Sequence, residues 1–157
     1  MRKKKFIVEN FGLGSYKHEM RYEAPGNSCT QWNINGSDIA KVITLDAYVR
    51  ENKLPSVDFI KLDVEGAELD VLKGATVTIA QFKPILMLSA YHKWDYFWTL
   101  MNFVKSIRSD YEFAMRQYTT TFDDDPAQFA NGLDEMLFSL GLDVKVFWYN
   151  ECVLFAR

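Results

Sequence analysis

Two carboxylates and a histidine stand where acid–base chemistry would need them. Asp63 and Glu65 end the segment Val57-Asp58-Phe59-Ile60-Lys61-Leu62-Asp63-Val64-Glu65, and Tyr91-His92 end the apolar run Pro84-Ile85-Leu86-Met87-Leu88-Ser89-Ala90. If the two runs are neighbouring parallel strands, about 4.8 Å apart, their ends bring Asp63 or Glu65 within hydrogen-bond reach of His92. An imidazole with a carboxylate beside it is ordinary equipment for a general base near neutral pH. Each residue also has a plainer reading. Phe59, Lys61 and Asp63 share one face of a strand, so Asp63 either forms a buried ion pair with Lys61 or, at the strand end, reaches a cleft. His92 is either a structural histidine or the base. Gly66 serves an ordinary strand-to-helix turn or the close approach of a ligand to backbone without a Cβ.

Other chemistries find little support. Gly12-Leu13-Gly14 lacks both the third glycine and the following helix of a dinucleotide loop. The serines lie in no nucleophile-elbow pattern. Asp123-Asp124-Asp125 lacks the ligand alternation of a calcium loop and reads as a solvated acidic turn. Cys29 and Cys152 form no CxxC and read as free thiols, and with only His18 and His92 besides, no metal site is expected. The chain has 18 basic and 21 acidic residues, which gives no basic surface for nucleic acid. The basic head Arg2 to Lys5 precedes no signal-like apolar segment, and no run approaches the ~20 apolar residues that span a bilayer. The expectation is a single domain over residues 1–157, cytoplasmic, with neither membrane nor nucleic-acid partners.

The elements that must position the candidates follow from periodicity. Phe6 to Phe11 reads as a strand running into a turn at 12–15, and His18 to Ala24 alternates as a half-exposed antiparallel strand. Residues 27–40 read as irregular, Val42 to Leu45 as a short strand, and Asp46 as the N-cap of a helix over Ala47 to Asn52. The strand at 57–64 leads to a helix over Ala67 to Gln81, whose first turn carries Glu65, Glu68 and Asp70 against the dipole and whose core face carries Leu69, Leu72, Ala75 and Ile79. The strand at 85–90 completes a strand-helix-strand unit. Its right-handed crossover makes the strands parallel and puts Asp63 and His92 at one edge, where α/β sheets bind ligands. A helix over Trp94 to Arg108, a strand over Tyr111 to Tyr118, a short helix near 133–140 and strand-like residues 144–156 complete a mixed α/β sheet, parallel strands followed by antiparallel ones.

The segment Val57 to Ala75, read through Lys61-Leu62-Asp63-Val64-Glu65-Gly66-Ala67-Glu68-Leu69-Asp70, closely resembles the signature of the FkbM family of S-adenosylmethionine-dependent methyltransferases. Asn10 to Ser15, Val42 to Asp46, Pro84 to His92 and Glu151 to Ala156 resemble its flanks, while 121–149 matches nothing in the family pattern. The resemblance implies a partial class I methyltransferase fold, Rossmann-like, with helices on both faces of the sheet. It implies S-adenosylmethionine as cofactor and O-methylation of a hydroxyl on a sugar, polyketide or similar small molecule. By position, Asp63, Glu65 and His92 would be catalytic, and Asn10, Gly12, Asp63 and Gly66 would face the methyl donor. The chain begins at what resembles the family's third strand, so the donor-holding glycine-rich turn and a βαβ unit of roughly 30 residues are expected to be missing. Two outcomes follow: an acceptor-side portion of an enzyme, or a non-catalytic remnant that self-associates or binds a partner. Either way the open sheet edge predicts a homodimer or a complementing cofactor-half chain.

Overall fold

The computed structural model describes residues 6–23, 31–32, 35–117 and 152–157. Within the span read as one domain, backbone contacts form two compact units, residues 1–54 with 70–78, and 55–69 with 79–157.

The first unit contains strands β1 (Gly12–Leu13), β2 (His18–Glu23), β3 (Gln31–Trp32) and β4 (Asp38–Ile43), then helix α1 (Leu45–Glu51). The sheet order is β1-β4-β2-β3. β2 runs antiparallel to β4 in the register His18↔Val42, as its alternation predicts, and β1 lies parallel to β4 through Gly12↔Val42 and Leu13↔Ile43. Three expectations need correction here. Phe6 to Phe11 is not a strand: Phe6, Ile7 and Val8 are exposed, and pairing begins only at Gly12. Residues 27–40 are not wholly irregular, since they hold β3 and the start of β4. The N-cap of α1 is Thr44, whose hydroxyl accepts from Ala47 N–H at 3.0 Å, and not Asp46. Thr44 has the extended backbone an N-cap requires, whereas Asp46 is already helical and its carboxylate is engaged elsewhere.

The expected single helix over 67–81 is two helices, α2 (Glu68–Lys73) and α3 (Thr76–Phe82). The break falls at Gly74. A Cβ there would collide with the carbonyl oxygen of Gly14, so two backbones meet where only glycine fits, and Gly74 O accepts from Asp46 N–H at 3.0 Å. Asp46 takes over the start of α3. Its carboxylate accepts from Val77 N–H at 3.0 Å, and from Thr78 N–H and Thr78 Oγ, each at 2.7 Å.

The second unit holds β5 (Phe59–Leu62), β6 (Ile85–Ser89), α4 (Tyr96–Ile107), β7 (Phe113–Gln117) and β8 (Cys152–Ala156). The order is β5-β6-β8-β7. β5 and β6 are parallel, with Ile60↔Leu86 and Leu62↔Leu88, while β8 runs antiparallel to both β6 and β7. The sheet is mixed, as the periodicity predicts, although the strands expected in one sheet are divided between two. Ile60, Leu62, Leu86, Leu88, Leu100, Val104 and Leu154 are buried, each such side chain contributing about 1.5–3 kcal/mol. Phe59 and Lys61 alternate outwards, as the strand period requires. Tyr111 is buried and donates its hydroxyl to Pro84 O at 2.7 Å. The acidic loop at 123–125, the helix near 133–140, strand residues 144–151 and Cys29 lie outside the described residues. Among the described residues no helix is long and apolar enough to cross a membrane.

Candidate active site

The parallel register of β5 and β6 places Asp63 and Tyr91-His92 just past two neighbouring strand ends, all within the second unit. Tyr91 donates its hydroxyl to Asp63 Oδ1 at 3.0 Å. Burial and then this hydrogen bond to a carboxylate push the Tyr91 phenol up to about 12, so it remains a donor across the physiological range. The Lys61 ammonium stands 3.8 Å from Asp63, but both side chains are substantially exposed, which removes the buried ion-pair reading of Asp63.

His92 lies at the centre. Its side chain is only 8% exposed, and its Nε2 stands 3.5 Å from Glu65 Oε2 and 3.8 Å from Asp63 Oδ1 with no hydrogen-bond partner of its own. The structure thus brings together Asp63, Glu65 and His92. Among the described residues, no three His, Cys, Asp or Glu side chains are grouped as a metal site.

Behind the imidazole is a residue that the sequence reading placed on a dipole-facing first turn. Glu68 is fully buried, and its Oε1 meets His92 Nδ1 at 2.7 Å while accepting Val64 N–H at 3.0 Å. A signal for its burial was present. Glu68 precedes Leu72 by four residues, which puts both on one helix face, and Leu72 is fully buried.

The turn between strand and helix has an unusual backbone. Glu65 has φ +50° and Gly66 φ +94°, so two consecutive residues occupy the left-handed region. For Glu65 that conformation costs about 1–2 kcal/mol, and such strain collects where a site dictates the backbone. Tyr96, buried at the start of α4, donates its hydroxyl to Gly66 O and pins the turn. The Lys93 ammonium lies over the Tyr96 ring at 4.7 Å, and Lys93 Cε would be 3.4 Å from a Cβ on Gly66. Gly66 is therefore part of the same cluster as His92. Asn10 and Gly12 belong to the first unit. There Gly12 and Leu13 form β1 and the backbone of this segment is engaged in the sheet, with Gly14 N–H bonded to Ile43 O at 2.9 Å.

A mixed α/β sheet with its polar cluster beyond the carboxyl ends of parallel strands is an architecture that binds small-molecule ligands at that edge. Comparison with known proteins narrows this to a family. The Methyltransferase FkbM domain matches residues 14–124, and the chain belongs to that family. A curated relative, hexuronic acid methyltransferase AglP of Haloferax volcanii, is 35% identical over 73 residues, 45% of this chain and 30% of the relative. The crystal structure of methyltransferase FkbM from Methylobacillus flagellatus KT superposes with a TM-score of 0.62 at 24% identity, over 96% of this chain and 28% of that one, a likeness of fold. The chain thus spans less than a third of the length of either relative.

Proposed function

We propose that this chain carries the acceptor-side chemistry of an S-adenosylmethionine-dependent methyl transfer to a hydroxyl of a sugar or similar small molecule, with His92 Nε2 as the proton acceptor. The observation that supports it is the unpartnered Nε2 of a buried imidazole, set between Asp63 and Glu65 at the strand ends. S-adenosylmethionine, when bound, supplies a methyl group on a cationic sulfonium. Exposed carboxylates at Asp63 and Glu65 suit a positive charge nearby, so the residues present are compatible with that donor.

The choice of hydroxyl follows from what each acceptor oxygen would require. A hexuronic acid, named for the AglP relative, offers hydroxyls and a carboxylate. The carboxylate is already ionised near neutral pH, needs no base, and would meet repulsion from Asp63, Glu65 and Glu68. A hydroxyl must lose a proton as it attacks, and an imidazole within hydrogen-bond reach is the ordinary means. Tyr91 holds one oxygen of Asp63 and so fixes the carboxylate that would accept a hydrogen bond from the sugar. The test is transfer of isotopically labelled methyl from several-millimolar S-adenosylmethionine to neutral methyl glycosides and to free hexuronic acids, followed by mass spectrometry. Ether products support the proposal. Methyl esters alone would contradict it.

A further inference from the structure

We propose that Glu68 is a positioning residue: it holds His92 in the tautomer that carries its proton on Nδ1, and so leaves Nε2 bare to receive a proton. The inference deepens the reading of His92 as the base and rests on it.

A neutral imidazole has one N–H and one lone pair, and the hydrogen bond made by one nitrogen decides the state of the other. At Nδ1 the neighbour is Glu68 Oε1 at 2.7 Å. That oxygen already accepts Val64 N–H at 3.0 Å, and a carboxylate oxygen can only accept, so Nδ1 meets it as N–H. At Nε2 the carboxylates stand at 3.5 and 3.8 Å, beyond the range of a good direct N–H···O bond. One close acceptor behind the ring therefore outweighs two distant ones in front of it. Neither partner has room to turn away, since the histidine side chain is 8% exposed and the glutamate 0%.

The second Glu68 oxygen, Oε2, is buried without a partner. Leaving a carboxylate oxygen unpaired costs stability, and a glutamine could satisfy Val64 N–H and Nδ1–H through its single carbonyl oxygen. What glutamine lacks is the negative charge, which favours the imidazolium formed when Nε2 takes a proton. The hydrogen bond sets the tautomer. The charge serves the protonated ring.

The tautomer-setting role is read in an experiment that requires neither methyl donor nor acceptor. The chain contains two histidines, so ¹⁵N spectra of the histidine-labelled protein resolve both rings, and His18→Gln assigns them. In the neutral ring of the wild type, His92 should be protonated on Nδ1. Glu68→Met removes the acceptor at similar length and should move the proton to Nε2, where Glu65 and Asp63 can draw it. Glu68→Gln should restore the Nδ1–H form. A glutamate with only a structural role would leave the tautomer unchanged in all three. A wild-type ring protonated on Nε2, or a tautomer indifferent to Glu68→Met, overturns the proposal. If Glu68→Met does not fold, Nε2 protonation in the wild type or in Glu68→Gln overturns it equally. Failure of the methyl-transfer reading would appear in the acceptor assay and not in these spectra.

Discussion

Replacing Asp46 with alanine should cost the fold about 3 kcal/mol, far more than an ordinary helix-cap substitution. The carboxylate serves three donors at the start of α3, Val77 N–H, Thr78 N–H and Thr78 Oγ. Val77 is 63% exposed, so water replaces the acceptor there at little cost. Thr78 is 2% exposed, so its N–H is left dry. A buried unpaired donor costs about 1–3 kcal/mol, and losing a charge-assisted bond to the hydroxyl adds about 1 kcal/mol after rotation to another acceptor. Asp46→Asn keeps one carbonyl oxygen for Thr78 and should cost about 1 kcal/mol. With a urea slope of about 2 kcal/mol per molar, alanine should move the unfolding midpoint down by about 1.5 M, and asparagine by about a third of that. Circular dichroism of the three proteins in a urea series measures both shifts. Equal midpoints for alanine and wild type would refute the assignment of Asp46 as the remote cap of α3.

Gly66→Ala should destabilise by about 1–2 kcal/mol, because φ +94° is strained for any residue with a Cβ; thermal denaturation reads the loss, and an unchanged midpoint would place the turn elsewhere. Tyr91, raised from an ordinary value near 10 to about 12, binds its proton more tightly in the folded state. Its contribution to stability is therefore complete below about pH 10 and is lost as pH rises through about 12; the decline should be smaller in Tyr91→Phe, and identical alkaline curves would contradict the Asp63 contact. Asp110 is held well below the ordinary carboxylate range, first by Arg108 and then by Lys83. Its contribution is present above the ordinary aspartate value near 4 and falls away with acidification below it, a dependence Asp110→Asn should remove. With the Gly14 N–H committed to Ile43 O, the 157-residue chain should bind S-adenosylmethionine no more tightly than ~1 mM; micromolar affinity by calorimetry would require a pocket assembled from other residues.

The strand-helix-strand unit around Asp63 and His92 was legible because it rests on local signals, an alternating run, a break at Gly66 and a continuous apolar run with a fixed handedness of connection. Register then follows from topology, which is why Tyr91 and Asp63 meet as hydrogen-bond partners. Other features depend on a partner that composition does not name. Phe6, Ile7 and Val8 have strand chemistry but no strand beside them among the described residues, while Gly12, of poor strand propensity, pairs with β4 together with Leu13. The break in the helix at Gly74 is imposed by the Gly14 backbone, distant in sequence. The burial of Glu68 is harder to read, because acidic residues in a first turn ordinarily face water; only its register with Leu72 places it inside, and only the fold sets it behind His92.

The central claim is that His92 Nε2 takes the proton of the acceptor hydroxyl, and the rate of methyl transfer by His92→Gln tests it most directly. Glutamine preserves polarity and approximate size but cannot act as a base near neutral pH. The account predicts that kcat falls by ~10² or more, with KM for the acceptor changed little. A variant with wild-type kcat would contradict it and leave His92 as a structural partner of Glu68.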